Sequence, residues 1–324
     1  MSKSTSMLLL SEDDVDALAS MPLALQAAKT AADLALSGNI VTGRVQINGP
    51  AAWMRLLAGT LTDLDLLGYK EFHRVGQDVR YHVHVFREST GEIIGVVDGR
   101  RITSLRTAAT AAVAIKHWAG GQPIRLGLIG SGEEAKEGLR AVAGACNITH
   151  ASVFSPTPQN RASFAVVMSA ELGIEVVAHD TMAAVVSDCD VLYVATSSHH
   201  DPFLRASDIE GLGMLAAIGS TQPIHRELTG DVFASAETVV VDTRDALHES
   251  GDCIEATQQG WLTDHVGLLG SYLHERASRS GLTIFKSIGS VEQDLVLAND
   301  LLAAAHEQGR GVSVADVASL RVMR

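Results

Sequence analysis

The chain has 324 residues, 46% of them apolar, and a net charge of −13 from 25 basic and 38 acidic side chains. That length accommodates two ordinary domains, each with its own core. An aromatic content of 4% with an acidic balance argues against nucleic acid and anionic membrane as partners. No apolar run approaches the roughly 18 residues of a membrane span, and the leucines at 8–10 are too few for a signal-peptide core. Cys146, Cys189 and Cys253 are far apart and odd in number, which fits a reducing cytoplasm and gives no disulfide framework or zinc spacing.

Ser11 followed by Glu12, Asp13 and Asp14 reads as a helix start with acids in its first turn. Pro22 opens a second helix that ends at Gly38-Asn39. From residue 40 to 97 the period changes to two, which predicts an antiparallel meander over 40–47, 53–58, 68–74, 79–86 and 92–98. Residues 103–118 form a small-residue helix, and Gly120-Gly121-Gln122-Pro123 breaks it. A domain boundary is placed there.

Strands and helices alternate from that point. Strands are predicted over 124–129, 151–154, 175–178, 191–196, 214–218 and 238–242, with helices over 161–173 and 181–187 between them. This is the pattern of a doubly wound parallel sheet. Its first strand-to-helix turn is Gly130-Ser131-Gly132-Glu133-x-Ala135, one form of the dinucleotide fingerprint. The first glycine permits the turn, the second admits a pyrophosphate, and the small Ala135 brings the helix close to the strand. The amides at the helix start favour the phosphates. The fold class is therefore α/β, a Rossmann-type sheet over 120–299 beside an α+β substrate and dimerisation domain from 1–119 and 300–324. The segment from Asp294 to the end is read as an amphipathic helix folding back onto that domain.

An NAD site usually places a carboxylate after the second strand. Residues 155–161 contain none; Ser155, Thr157 and Arg161 stand there instead, which favours NADP(H), with NAD(H) possible. Ala195, Thr196 and Ser197 end a later strand on the same edge, beside the nicotinamide ribose. His199-His200-Asp201 is not read as a metal site, because adjacent loop residues rarely converge on one ion.

The chain resembles the ornithine cyclodeaminase/mu-crystallin family, over roughly residues 9–305. The resemblance is carried by Thr42-Gly43-Arg44, Met54 ahead of Ala58-Gly59, Gly68-Tyr69-Lys70, Thr90-Gly91-Glu92, the stretch from Asp98 to Ala109, Gly251-Asp252, Phe285-Lys286-Ser287-Ile288-Gly289 and Gln293-Asp294. It implies a homodimer with hydride chemistry at the α-carbon of a small amino or imino acid. It implies Arg44 and Arg106 as carboxylate ligands, Lys70 as the catalytic residue, and Ser287 and Gly289 beside the cofactor. Met54, His84 and Thr221 are further candidates for the substrate side.

These roles suit the residue types. A guanidinium fork pairs bidentately with a carboxylate, and burial brings a lysine's proton exchange toward neutrality. Arg106 is expected near a helix start, where unbonded amides add to the pull on an anion. His82 and His84 share a strand face with Arg80, away from Tyr81 and Val83. The family's ornithine cyclodeaminases carry an aspartate at the place of Thr221 and a lysine at that of His225. Thr221 cannot act as a carboxylate, so the chain is read as a cytoplasmic NAD(P)H-dependent ketimine reductase. An ornithine cyclodeaminase with tightly held NAD and a non-catalytic NADPH-binding protein are the alternatives. A dicarboxylic imine bound through Arg55, Arg80, His82 and His84, and a cyclic ketimine, both fit as substrate.

Overall fold

The computed structural model describes residues 6–197, 201–262 and 266–316. Its elements in chain order are β1 (Ser6–Leu10), α1 (Glu12–Leu18), α2 (Met21–Ser37), β2 (Ile40–Asn48), β3 (Ala52–Leu61), β4 (Leu66–Val75), β5 (Asp78–Arg87), β6 (Ile93–Asp98), α3 (Gly99–Ala119), β7 (Ile124–Ile129), α4 (Glu133–Ala145), β8 (Ile148–Phe154) and α5 (Pro158–Leu172). There follow β9 (Val176–Ala178), α6 (Met182–Ser187), β10 (Val191–Val194), β11 (Met214–Ala217), α7 (Asp231–Ala234), β12 (Thr238–Val241), α8 (Ala246–Glu249), α9 (Gly251–Gln258), β13 (Gly267–Leu268), α10 (Leu269–His274), β14 (Thr283–Lys286), α11 (Val291–Gln308) and β15 (Val312–Ala315). Within the described residues one compact unit takes 6–23, 37–103 and 291–316, and the other takes 24–36 and 104–290.

The first unit is a seven-stranded sheet in the order β15-β1-β6-β5-β4-β3-β2. Strands β2 to β6 pair antiparallel with their sequence neighbours, as period-two alternation requires. Helix α11 crosses one face of this meander. Three glycines let it settle: a Cβ on Gly59, Gly68 or Gly95 would stand 2.8, 2.6 and 2.5 Å from Val291, Leu295 and Leu302. The tail differs from the sequence reading. Gly309 and Gly311, both at positive φ, stop the helix, and the alternating Val312–Ala315 pairs with β1 instead. Strand β1, unread in the sequence, runs parallel to β6.

The second unit holds an eight-stranded sheet, β13-β12-β14-β11-β10-β7-β8-β9, parallel throughout. Its central strands are buried on both faces, hence their unbroken apolar runs. The order reverses between β7 and β10, and the turn after β7 lies at that switch point, where open α/β sheets take their ligands. Strand β14 enters last and inserts between β11 and β12. No helix among the described residues is long and apolar enough to cross a membrane.

Candidate active site

The glycine turn is demanded partly by the protein and partly by what it leaves open. Gly130 has φ +115, and a Cβ there would run into the Ala195 carbonyl oxygen. Gly132 is different: a Cβ on it meets nothing within 4 Å. Gly132 caps α4 with no side-chain hydrogen bond, so the first-turn amides keep their anion-binding capacity. These residues fit a dinucleotide pyrophosphate. Exposed Glu133 would offer its amide, and Ala135, in the first turn of α4, is fully buried. Gly138, one turn further on, was not recognised in the sequence. A Cβ there would press on the Tyr193 ring, 2.5 Å from Cε1, so this glycine also sets how closely α4 rides on the sheet.

The end of β8 is tied to this turn by the Ser131 hydroxyl, which donates to Ser155 Oγ at 2.9 Å. Thr157 caps α5 without a side-chain hydrogen bond. Arg161 departs from its expected freedom to meet a phosphate. Its side chain is 11% exposed. It donates to the Ser155 and Pro156 carbonyls at 3.1 and 3.5 Å and to Asp180, and lies over the Phe154 ring. The loop carbonyls, which the sequence does not reveal, draw the guanidinium beneath the loop.

Further along the same strand ends lies a buried charged cluster. Glu227 Oε1 accepts from the Thr196 amide and hydroxyl at 2.7 and 2.8 Å, and Oε2 from the Gly219 amide at 2.9 Å. A Cβ on Gly219 would strike that carboxylate. Asp252 Oδ1 accepts from the Glu227 and Leu228 amides at 2.7 and 2.9 Å, and its Oδ2 lies 3.2 Å from Lys286 Nζ. Burial pushes the Glu227 carboxyl up to about 7; Lys286 opposes this, Asp252 adds to it, and the Thr196 hydrogen bonds oppose it. Ala195 is buried and Ser197 exposed on the same edge. Thr221 is half-buried in the loop between Gly219 and Glu227.

Strand β14 ends in a turn over Ser287–Gly289. Asp242, at the end of β12, accepts from Ser287 Oγ at 2.7 Å and from the Gly289 and Ile288 amides at 2.8 and 3.2 Å. Gly289 sits against the Arg106 guanidinium. Arg106 is buried, but not at a helix start: α3 begins at Gly99, four residues earlier than the sequence suggested, so Arg106 lies in its third turn. The amides there are already committed within the helix, and the expected pull of free amides on an anion at Arg106 does not operate.

In the first unit, register places Arg44, Leu57, Lys70 and Val83 in one cross-strand row. This is the face covered by α11. Lys70 is 1% exposed, and its Nζ lies 3.1 Å from Asp294 Oδ1, itself fully buried. The rings of Phe72 and Tyr81 flank the ammonium, each centroid at 5.7 Å. The sequence motif contained Asp294 but assigned it no part; its partner lies 224 positions away.

Met54 and His84 point to the opposite face. Met54 pairs across with His73, and His84 stacks on Tyr69 at 4.5 Å, so the sheet itself separates both from Lys70. His82 and His73 share that opposite face and both engage Glu71, at 2.5 and 3.0 Å. Burial, then the neighbouring His82, lowers the His84 pKa. His199 and His200 lie outside the described residues. Among the described residues no cluster of three metal-ligating side chains is placed to hold an ion. The three cysteines are free, with burial pushing Cys146 up to about 11 and Cys189 and Cys253 to about 12.

The sequence profile of the ornithine cyclodeaminase/mu-crystallin family matches residues 68–308. A Delta(1)-pyrroline-2-carboxylate reductase of Bacillus cereus is 30% identical over 229 residues, 68% of this chain and 70% of that protein. The iminosuccinate reductase of Paracoccus denitrificans is 30% identical over 233 residues, 70% of this chain and 71% of that one. The solved structure of Thermococcus litoralis Delta(1)-pyrroline-2-carboxylate reductase, in complex with NADH and L-proline, superposes with a TM-score of 0.87 at 28% identity, covering 95% of this chain and 100% of that one. The chain belongs to the ornithine cyclodeaminase/mu-crystallin family.

Proposed function

We propose that this protein is an NAD(P)H-dependent reductase of a small imino acid, a cyclic ketimine, acting in the cytoplasm as a homodimer. The observation that carries this reading is the buried Lys70–Asp294 pair in one row with Arg44. Similarity to reductases of pyrroline carboxylate and iminosuccinate supports it. Arg44 and Arg106 bind the substrate carboxylate, each through a planar fork. Lys70 holds a proton at Nζ for the imine nitrogen, and Asp294 fixes that ammonium and balances its buried charge. When bound at the Gly130–Gly132 turn, the nicotinamide cofactor supplies the hydride that the imine carbon receives. A carboxylate paired with a guanidinium fork orients the imino acid before reaction, which removes much of the entropic barrier.

The sheet faces support the choice of a cyclic monocarboxylate. Of the cations available to a second carboxylate, Arg80, His82 and His84 lie opposite Lys70, and Arg55 alone shares its face. A preference for NADP(H) is supported by the absence of a carboxylate over residues 155–161 and by the uncapped start of α5. The homodimer is supported by Val41, Val45 and Ile47, exposed together on the sheet face away from α11.

The test is a panel of Δ1-pyrroline-2-carboxylate, Δ1-piperideine-2-carboxylate and oxaloacetate with ammonium, followed by nicotinamide absorbance with NADH and with NADPH. Oxidation with the cyclic imines is expected. A preference for the oxaloacetate-derived imine overturns the substrate choice, and equal efficiency with both cofactors removes the NADP(H) preference. No oxidation with any of them overturns the activity.

A further inference from the structure

One carboxylate gathers several donors of the Ser287–Gly289 turn. Asp242 is 5% exposed, and four donors converge on it: Ser287 Oγ and the amide of Gly289 on Oδ2, the amides of Ile288 and Thr243 on Oδ1. So many donors on one carboxylate fix the turn's position rather than merely its fold. The product of that geometry is Gly289 at φ +80, its backbone against the Arg106 side chain. A Cβ there would stand 2.6 Å from NH2 and 2.7 Å from Cζ, and closer still to NH1. The guanidinium therefore occupies the space that any side chain on residue 289 would need. The turn is bonded from both neighbouring strands, by Asp242 after β12 and by the Ala217 carbonyl of β11, which accepts from the Ser287 amide at 3.2 Å.

We propose that Asp242 is a positioning residue that acts through Gly289: it clamps the turn as a seat for the Arg106 guanidinium and so sets affinity for the carboxylate of a small imino acid. This rests on the reading of Arg106 as a carboxylate ligand. Arg106 is long and unbranched, with several rotamers to lose, and a bidentate contact needs one of them. Misplacing a reacting ligand by about 1 Å can cost about 10²-fold.

Gly289→Ala and Asp242→Asn are compared with wild type for the KM of Δ1-pyrroline-2-carboxylate, for kcat, and for NADH affinity by fluorescence titration. Both variants should raise KM about 10- to 100-fold, by more than any loss of NADH affinity at this cofactor-side turn. In an Arg106→Ala background Gly289→Ala should add almost nothing, because its target is gone. Additive losses, or NADH affinity falling as far as KM rises, overturn the proposal. A crystal structure of Gly289→Ala reads the seat without any substrate: a displaced guanidinium supports the clamp even if the wild-type protein reduces no imine. A guanidinium left in place overturns it.

Discussion

Each unit of this chain buries a lysine against an aspartate, and the two pairs differ in what surrounds them. Lys70–Asp294 spans 3.1 Å and Lys286–Asp252 spans 3.2 Å, with no side chain of the four more than 1% exposed. Burying such charges is costly in either place, and a well-packed apolar pair would serve stability as well or better. Around Lys286–Asp252 the backbone amides converge on the acids: Asp252 anchors the chain at Glu227 and Leu228, and Glu227 in turn anchors Thr196 and Gly219. That pair ties strand ends together. Around Lys70 the surroundings are aromatic rings and, along its row, Arg44. That pair holds a buried positive charge on the sheet face that α11 covers, the charge proposed above for the imine nitrogen. Burial of charge alone does not distinguish architecture from chemistry; the neighbours do.

The architectural half of the contrast breaks most readily at Lys286. Lys286→Ala leaves Asp252 buried without its cation and should cost about 3–5 kcal/mol in urea denaturation; a loss below about 1 kcal/mol would mean the cluster does not tie the strands. Glu227 sharpens the same point through pH. Its carboxyl is raised from 4.5 to about 7, so between those values the folded chain keeps a proton that the unfolded chain has shed. The group's contribution to stability therefore falls as pH rises through that window. Glu227→Gln, still facing Asp252 and Lys286, should gain about 1–3 kcal/mol on wild type between pH 5 and pH 7.5. A constant difference across that range would contradict the assignment. Gly138→Ala presses a methyl onto the buried Tyr193 ring and should lose about 1–3 kcal/mol by thermal melting. Smallest is Ser11→Ala in the first unit, which removes the capping box with Asp14 and should cost about 1 kcal/mol. That variant should leave turnover intact.

Much of the fold was legible because the chain states its periods clearly. The meander over residues 40–98, the strand at Ile124–Ile129 and the turn at Gly130 all stand where alternation and glycine spacing put them. Lys70 and Arg44 could be named, but their shared face becomes visible only once register is known. Asp294, Asp242 and Glu227 were not legible, since each works on a partner distant in sequence, and a lone acid carries no local signature. Met54 and His84 show the converse limit. A motif identifies a residue, but one step of strand alternation decides which side of the sheet it serves. The tail was misread because Val312–Ala315 has a strand partner, β1, at the other end of the chain.

The measurement that bears most directly on the account is turnover in two double variants that neutralise each pair without leaving a buried charge, Lys70→Met/Asp294→Asn and Lys286→Met/Asp252→Asn. The asparagine at 252 keeps an oxygen for the Glu227 and Leu228 amides. Both should fold and bind NADH. With Δ1-pyrroline-2-carboxylate the first should lose about 10²–10⁴-fold in kcat and the second should stay near wild type. Full turnover in the first variant, or an equal loss in both, would contradict the claim that Lys70 is the chemical member of the two pairs.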